Sequence, residues 1–151
     1  LTCGTDFDEG YGAAAPPGGG FTALATGDDH GCGVRVDGTV ACWGLDDVGQ
    51  ASPPSGTFVA IAAGSRHTCA IGTDGTLTCW GEDVGGGAAP PAGTFEAIAA
   101  YGTYDCALRT DGTAACWGST FHSTAPPDDT FAAIAAGCGI TRDELRLRCW
   151  N

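Results

Sequence analysis

Short apolar runs separated by Gly, Pro and Asp recur along the chain, and within them the apolar positions follow a period of two. Residues 58–63, Phe-Val-Ala-Ile-Ala-Ala, set Phe58, Ala60 and Ala62 on one side and Val59, Ile61 and Ala63 on the other. Both sides are apolar, so this predicted strand lies between neighbouring sheets. A hairpin follows, with strands predicted over 67–71 and 76–80. In it Cys69, Ile71, Leu77 and Cys79 share one face and Trp80 takes the other, where it can pack on an adjacent unit. Gly, Pro and Asp-Gly punctuation every few residues predicts an all-β chain with no helix longer than about two turns.

The same pattern returns along the chain. Phe21, Phe58, Phe95 and Phe131 step by 37, 37 and 36 residues. In the same register lie Asp-Gly at 37–38, 74–75 and 111–112, Cys-Trp-Gly at 42–44, 79–81 and 116–118, and Pro-Pro at 16–17, 53–54, 90–91 and 126–127. A period of that length marks a repeat architecture. The chain divides into a partial blade over 1–20 and repeats over 21–57, 58–94, 95–130 and 131–151, together one repeat domain. Sheets of three or four short strands, apolar on both sides, must stack to bury themselves, which is the pattern of propeller blades. The predicted fold is all-β, a β-propeller-like array of about four blades with one disulfide-stapled hairpin per blade.

The staple comes from the cysteines. Eight of the nine fall at 32/42, 69/79, 106/116 and 138/149, one pair per repeat, and Cys3 is left over. A three-residue hairpin loop such as 36–38 places Gly at its last, left-handed position and sets Cys32 opposite Cys42, within the span a disulfide bridges. Structural zinc sites use spacings of two to four residues within a ligand pair, whereas these pairs are about ten apart. The expectation is therefore Cys32–Cys42, Cys69–Cys79, Cys106–Cys116 and Cys138–Cys149 as disulfides, with no metal and no cofactor. Persistent disulfides imply an oxidising compartment, extracellular or at the cell surface.

Charge removes further classes. The net charge is −12, and all six basic residues are Arg. A nucleic-acid backbone would be repelled. No apolar run is long enough for a membrane span. The acids lie in connecting loops (Asp28-Asp29, Asp46-Asp47, Asp128-Asp129) and read as solvated charge. Asp6 to Gly10 resembles half of a calcium loop without the bidentate Glu that such a loop needs.

Several of these motifs resemble the regulator of chromosome condensation repeat. They are Ala62-Ala-Gly-Ser-Arg-His67-Thr-Cys-Ala-Ile71, Asp74-Gly75, Cys79-Trp80-Gly81 and the loop Val48-Gly49-Gln50. The likeness covers nearly the whole chain and is nearest to bacterial members with paired cysteines. The resemblance implies propellers, usually of seven blades, that bind proteins through loops and rims without catalysis. Known activities include nucleotide exchange on a small nuclear GTPase, inhibition of β-lactamases and ligand binding by ectodomains. The exchange activity is not expected of an acidic chain without Lys. Gly87 replaces Gln50 in the next repeat, and Tyr104 stands where His30 and His67 stand.

No nucleophile–base set, phosphate loop or cofactor fingerprint is present, so no catalytic residue and no enzyme activity are expected. His30 and His67 read as structural, and His122 sits in a loop beside Ser123 and Thr124. Tyr101 and Tyr104 break the repeat, and paired aromatics at a rim suit a partner anchor. Leu1, Thr2, Cys3 and Gly4 resemble the strand 77–81 without its Trp, so the chain opens on a hairpin strand lacking its partner, and the ninth cysteine suits an intermolecular bond. Two functions follow. One is an extracellular structural building block that self-associates into an oligomer or filament through Leu1 to Gly4. The other is a propeller module that binds another protein or ligand, as part of a longer repeat protein or as an enzyme inhibitor.

Overall fold

A computed structural model describes residues 16–119 and 125–150. Leu1, Thr2, Cys3, Gly4, the acids at 6–9 and His122 lie outside these residues. Four three-stranded antiparallel sheets follow one another along the chain. The first is β1 (Phe21–Thr26), β2 (His30–Arg35) and β3 (Val40–Gly44), and the second is β4 (Phe58–Ala63), β5 (His67–Gly72) and β6 (Leu77–Gly81). The third is β7 (Phe95–Tyr101), β8 (Tyr104–Arg109) and β9 (Ala114–Gly118), and the fourth is β10 (Phe131–Ala135), β11 (Cys138–Thr141) and β12 (Leu147–Cys149). The longest helical segment among the described residues is the single 3-10 turn Val84–Gly86. The all-β fold with four blades is as the periodicity predicts.

Each hairpin turn does what its Asp-Gly requires. Gly38 and its equivalents Gly75 and Gly112 take φ of 86°, 84° and 91°, a region that a Cβ disfavours. The Asp side chain closes the loop, since Asp37 Oδ1 accepts from both the amide (2.9 Å) and the hydroxyl (2.6 Å) of Thr39. Cys32 thereby faces Cys42, Cys69 faces Cys79 and Cys106 faces Cys116. All four disulfides are formed within their own blades, with Cα–Cα distances of 4.0 to 4.1 Å. In the last blade the cysteines are 11 apart because the loop is longer, and Leu145 supplies the left-handed residue at φ 53°.

The strict alternation read over 58–63 does not hold. A bulge skips Val59, so that Phe58 pairs with Gly72 and Ala60 with Ile71. The extra residue shifts the phase by one. Phe58 and Ile61 therefore share the side facing the first blade, and Ala60 faces the third. The same bulge follows the leading Phe in all four blades.

The core lies between blades. Cys32 and Val34 of the first pack on Phe58, Ile61, Ala70 and Trp80 of the second. Ile71 of the second packs on Phe95 and Ala107 of the third, and Cys106 and Leu108 of the third pack on Phe131 and Trp150 of the fourth. At each of these three junctions the disulfide side of one blade thus meets the Phe/Trp side of the next. The turn of each blade also anchors the next, because the amides of Phe58, Phe95 and Phe131 donate to the carbonyls of Gly38, Gly75 and Gly112 at 2.8 to 2.9 Å.

Candidate functional site

The turns from the first to the second strand of the first three blades come together at one end of their strands. The amide of Gly27 donates to the carbonyl of His30 (2.9 Å), and that of Gly64 to the carbonyl of His67 (3.0 Å), closing two tight turns. These turns are linked across blades, since the amide of Asp28 donates to Ser65 (3.3 Å) and that of Ser65 to Gly102 (2.7 Å). Between them lies an open groove of about 430 Å³, lined by Thr26 to Asp28, Ala63 to Ser65 and Ala100 to Gly102. Its lining is small and polar, with one carboxylate, Asp28, and one large aromatic, Tyr101, which is 78% exposed.

Beneath the groove each histidine reaches into the following blade. His30 Nε2 lies 2.8 Å from Thr68 Oγ1, and that hydroxyl donates to the carbonyl of Gln50 at 3.3 Å. His67 Nε2 and Asp105 Oδ2 are hydrogen-bonded at 2.7 Å. All four side chains are buried. Burial holds the Asp105 carboxyl above its ordinary value despite His67, and Asp105 Oδ1 has no partner among the described residues. Burial, followed by the neighbouring His67, pushes His30 below the ordinary histidine value. Both histidines are structural, as read from their place in the repeat.

The tryptophans complete these junctions. Trp80 Nε1 donates to the Gln50 carbonyl (3.1 Å) and Trp117 Nε1 to that of Gly87 (3.0 Å), so the Gln-to-Gly replacement keeps the acceptor, which is backbone. In the last junction Trp150 Nε1 donates to the Tyr104 hydroxyl (3.2 Å). The two tyrosines that break the repeat are therefore divided. They face each other across β7 and β8, but Tyr104 packs between the third and fourth blades while Tyr101 stands in the groove wall.

His67, Cys69 and Asp105 are the one cluster of possible metal ligands among the described residues. Cys69 is bonded to Cys79, so no thiolate is offered there. The loop acids are engaged locally. Asp46 accepts from the Ala51 amide and the Ser52 hydroxyl, and Asp47 from Gln50 and Arg66. Neither the groove nor the partners of the two histidines follows from the period-two pattern or the motifs of the sequence. The partners did leave a signal, because the position after the histidine runs Gly31, Thr68 and Asp105 while the surrounding repeat is nearly constant.

Residues 21–50 and 58–86 match the family model described as the regulator of chromosome condensation (RCC1) repeat. A comparison with curated proteins found no match. Among solved structures, the CRINKLY WD40 ectodomain of the Arabidopsis thaliana receptor kinase ACR4 is similar at 31% identity and TM-score 0.71, over 85% of this chain and 48% of that one. The ectodomain of the Physcomitrella patens receptor kinase CR4 is similar at 29% identity and TM-score 0.70, over 85% and 40%. Prp20p from Saccharomyces cerevisiae, described with its binding to Gsp1p and histones, shares the fold at 18% identity and TM-score 0.64, over 80% and 43%. The chain thus spans less than half the length of these solved propellers. Two of its four repeats thus match the regulator of chromosome condensation repeat, and its four blades share the β-propeller architecture of these solved structures.

Proposed function

We propose that the chain is a non-enzymatic, extracellular protein-binding module, and that its contact surface is the groove between the first three blades. The observation that carries this reading is Tyr101, a large aromatic held in the open at the wall of a groove of otherwise small residues. It stands on turns tied to one another by backbone hydrogen bonds, so little conformational entropy opposes its use as an anchor. The surrounding charge favours a basic polypeptide, since Asp28 lies in the groove and the chain carries −12 overall. Four disulfides and the likeness to two plant receptor ectodomains support an extracellular setting. Nucleic acid is not a suitable partner for such a charge.

The test is an interaction screen of the oxidised protein against a panel of secreted proteins and ectodomains, run in parallel with Tyr101→Ala and Asp28→Asn. Partners bound by the parent should bind at least tenfold more weakly to Tyr101→Ala, and salt should weaken the binding. A partner that binds all three proteins equally would move the contact surface elsewhere. Self-association through Leu1, Thr2, Cys3 and Gly4 is a second reading, supported by the odd number of cysteines, nine in the chain. It is tested by deleting residues 1–4 or by Cys3→Ser, either of which should shift assemblies toward monomer.

A further inference from the structure

The two buried histidines lie under successive turns of the groove, and they differ in what they are paired with. A Cβ placed on Gly27 would come within 2.6 Å of His30 Nδ1, and one on Gly64 within 2.8 Å of His67 Nδ1, so each ring is packed against the turn above it. The first turn is closed by the Gly27 amide on the His30 carbonyl (2.9 Å) and tied to the second by the Asp28 amide on the Ser65 carbonyl (3.3 Å). Beneath it the Thr68 hydroxyl donates to the Gln50 carbonyl, so His30 Nε2 donates to Thr68 and Nδ1 is left with its lone pair. That atom is buried and has no partner among the described residues. The charged and titratable groups around the ring are Asp28 and Asp29 on its own turn, Asp46 in the loop after β3 and His67 on β5. The three acids are exposed, and the ring's hydrogen-bond partner among the described residues is Thr68.

A proton added at His30 Nδ1 creates a buried positive charge with no acceptor, whereas a proton shared between His67 and Asp105 leaves that pair neutral overall. We propose that the turn over 27–29 is an acid-released latch: protonation of His30 drives its imidazole out of the junction toward Asp28 and Asp29 and opens the turn, while the turn over His67 stays closed. Opening breaks the hydrogen bonds of the Gly27 and Asp28 amides and takes Asp28 out of the groove wall. A basic partner held through Asp28 is therefore released in acidified surroundings. That consequence rests on the groove being the contact surface, as proposed above; the opening of the turn does not. In the open turn the ring titrates near the ordinary value of about 6.5, and in the closed turn burial, followed by the neighbouring His67, holds it lower, so acid favours the open form.

The experiment is amide hydrogen exchange of the oxidised chain, read residue by residue by NMR at about pH 7.5 and about pH 5 and corrected for intrinsic rates, with His30→Gln and Thr68→Asp alongside. In the parent, protection of Gly27 and Asp28 should fall by about five- to thirtyfold on acidification, the range set by a ring that titrates at about 6.5 when the turn is open and lower when it is closed. Protection of Gly64 and Ser65 should change by less than about threefold, because the charge beneath that turn is paired. His30→Gln keeps a donor toward Thr68 and does not titrate, so Gly27 and Asp28 should be equally protected at both pH values. Thr68→Asp gives His30 the kind of partner that His67 has and should suppress the fall in the same way. Intact disulfides and an unchanged far-ultraviolet spectrum would establish that each variant is folded, and the comparison of the two turns within the parent stands without either. Equal protection of the first turn at both pH values overturns the proposal. So does an equal fall at both turns, or a fall that persists in His30→Gln. The measurement uses no partner, so a contact surface found away from Tyr101 would refute the groove and leave the latch standing.

Discussion

His67 of the second blade and Asp105 of the third form a fully buried pair, 2.7 Å between Nε2 and Oδ2, at the junction of two sheets. At the preceding junction the same positions are held by His30 and Thr68, a neutral pair at 2.8 Å. A hydroxyl and a carboxylate therefore serve one structural purpose in successive blades, at different electrostatic cost.

Removing one member of the buried pair leaves the other without its partner. Asp105→Ala should destabilise the chain by about 1 to 3 kcal/mol, as expected when a buried polar group loses its hydrogen-bond partner. Asp105→Thr restores the chemistry of the preceding junction and should recover most of that loss. Chemical denaturation of the three proteins at neutral pH checks the order.

The pH dependence has two opposed parts near that pair. The folded-state value of Asp105 is raised, by burial, so the unfolded chain gives up this proton first. Stability should fall as pH rises from the ordinary carboxylate range to the raised value. The folded-state value of His30 is lowered, again by burial first, so stability should fall as pH drops below about 6.5 and level off beneath the lowered value. In Asp105→Thr the first dependence should vanish and the second should remain, as denaturation midpoints measured from pH 4 to 8 would show.

The turn carboxylates act in the opposite sense to Asp105. Hydrogen bonds from Thr39, Thr76 and Thr113 hold Asp37, Asp74 and Asp111 below the ordinary carboxylate value. Their contribution is present above that ordinary value and is lost as pH falls through the lowered one. Asp74→Ala should flatten the acid limb of the stability profile and leave the limb near neutrality unchanged.

Each disulfide closes a loop of about ten residues. Replacing both Cys69 and Cys79 with Ala should cost about 2 to 3 kcal/mol in the chain-entropy account. Thermal unfolding of the oxidised protein measures this loss. Peptide mapping without reductant should recover only links within a repeat.

Gly75 occupies the left-handed position of the second turn at φ 84°, and its carbonyl accepts from Phe95 of the next blade. Gly75→Ala should cost about 1 to 2 kcal/mol from backbone strain. Gly49→Ala, at φ 85° in an open loop, should suffer a similar strain. It lacks that junction, so loss of contact between the second and third blades, read by hydrogen exchange at Phe95, should appear only for Gly75→Ala.

By itself, the sequence determined the repeat, the hairpin register, the disulfide pairs and the stacking of blades. These follow from local rules: a three-residue turn with its Gly in the left-handed position fixes which cysteines oppose, and strands apolar on both faces must be covered by neighbouring sheets. Only the tertiary structure decided what crosses between blades. The bulge at Val59 turns Ile61 toward the first blade, because one unpaired residue reverses every side chain after it. Asp105 is a buried partner of His67 although its position in the repeat, after Gly31 and Thr68, shows only a polar residue among apolar ones. Tyr101 and Tyr104 look alike in the chain, yet one packs beneath a tryptophan and the other faces solvent. Whether a residue three places from another is core or surface depends on how the next sheet lies against it, and that is set by contacts about 37 residues apart in the chain.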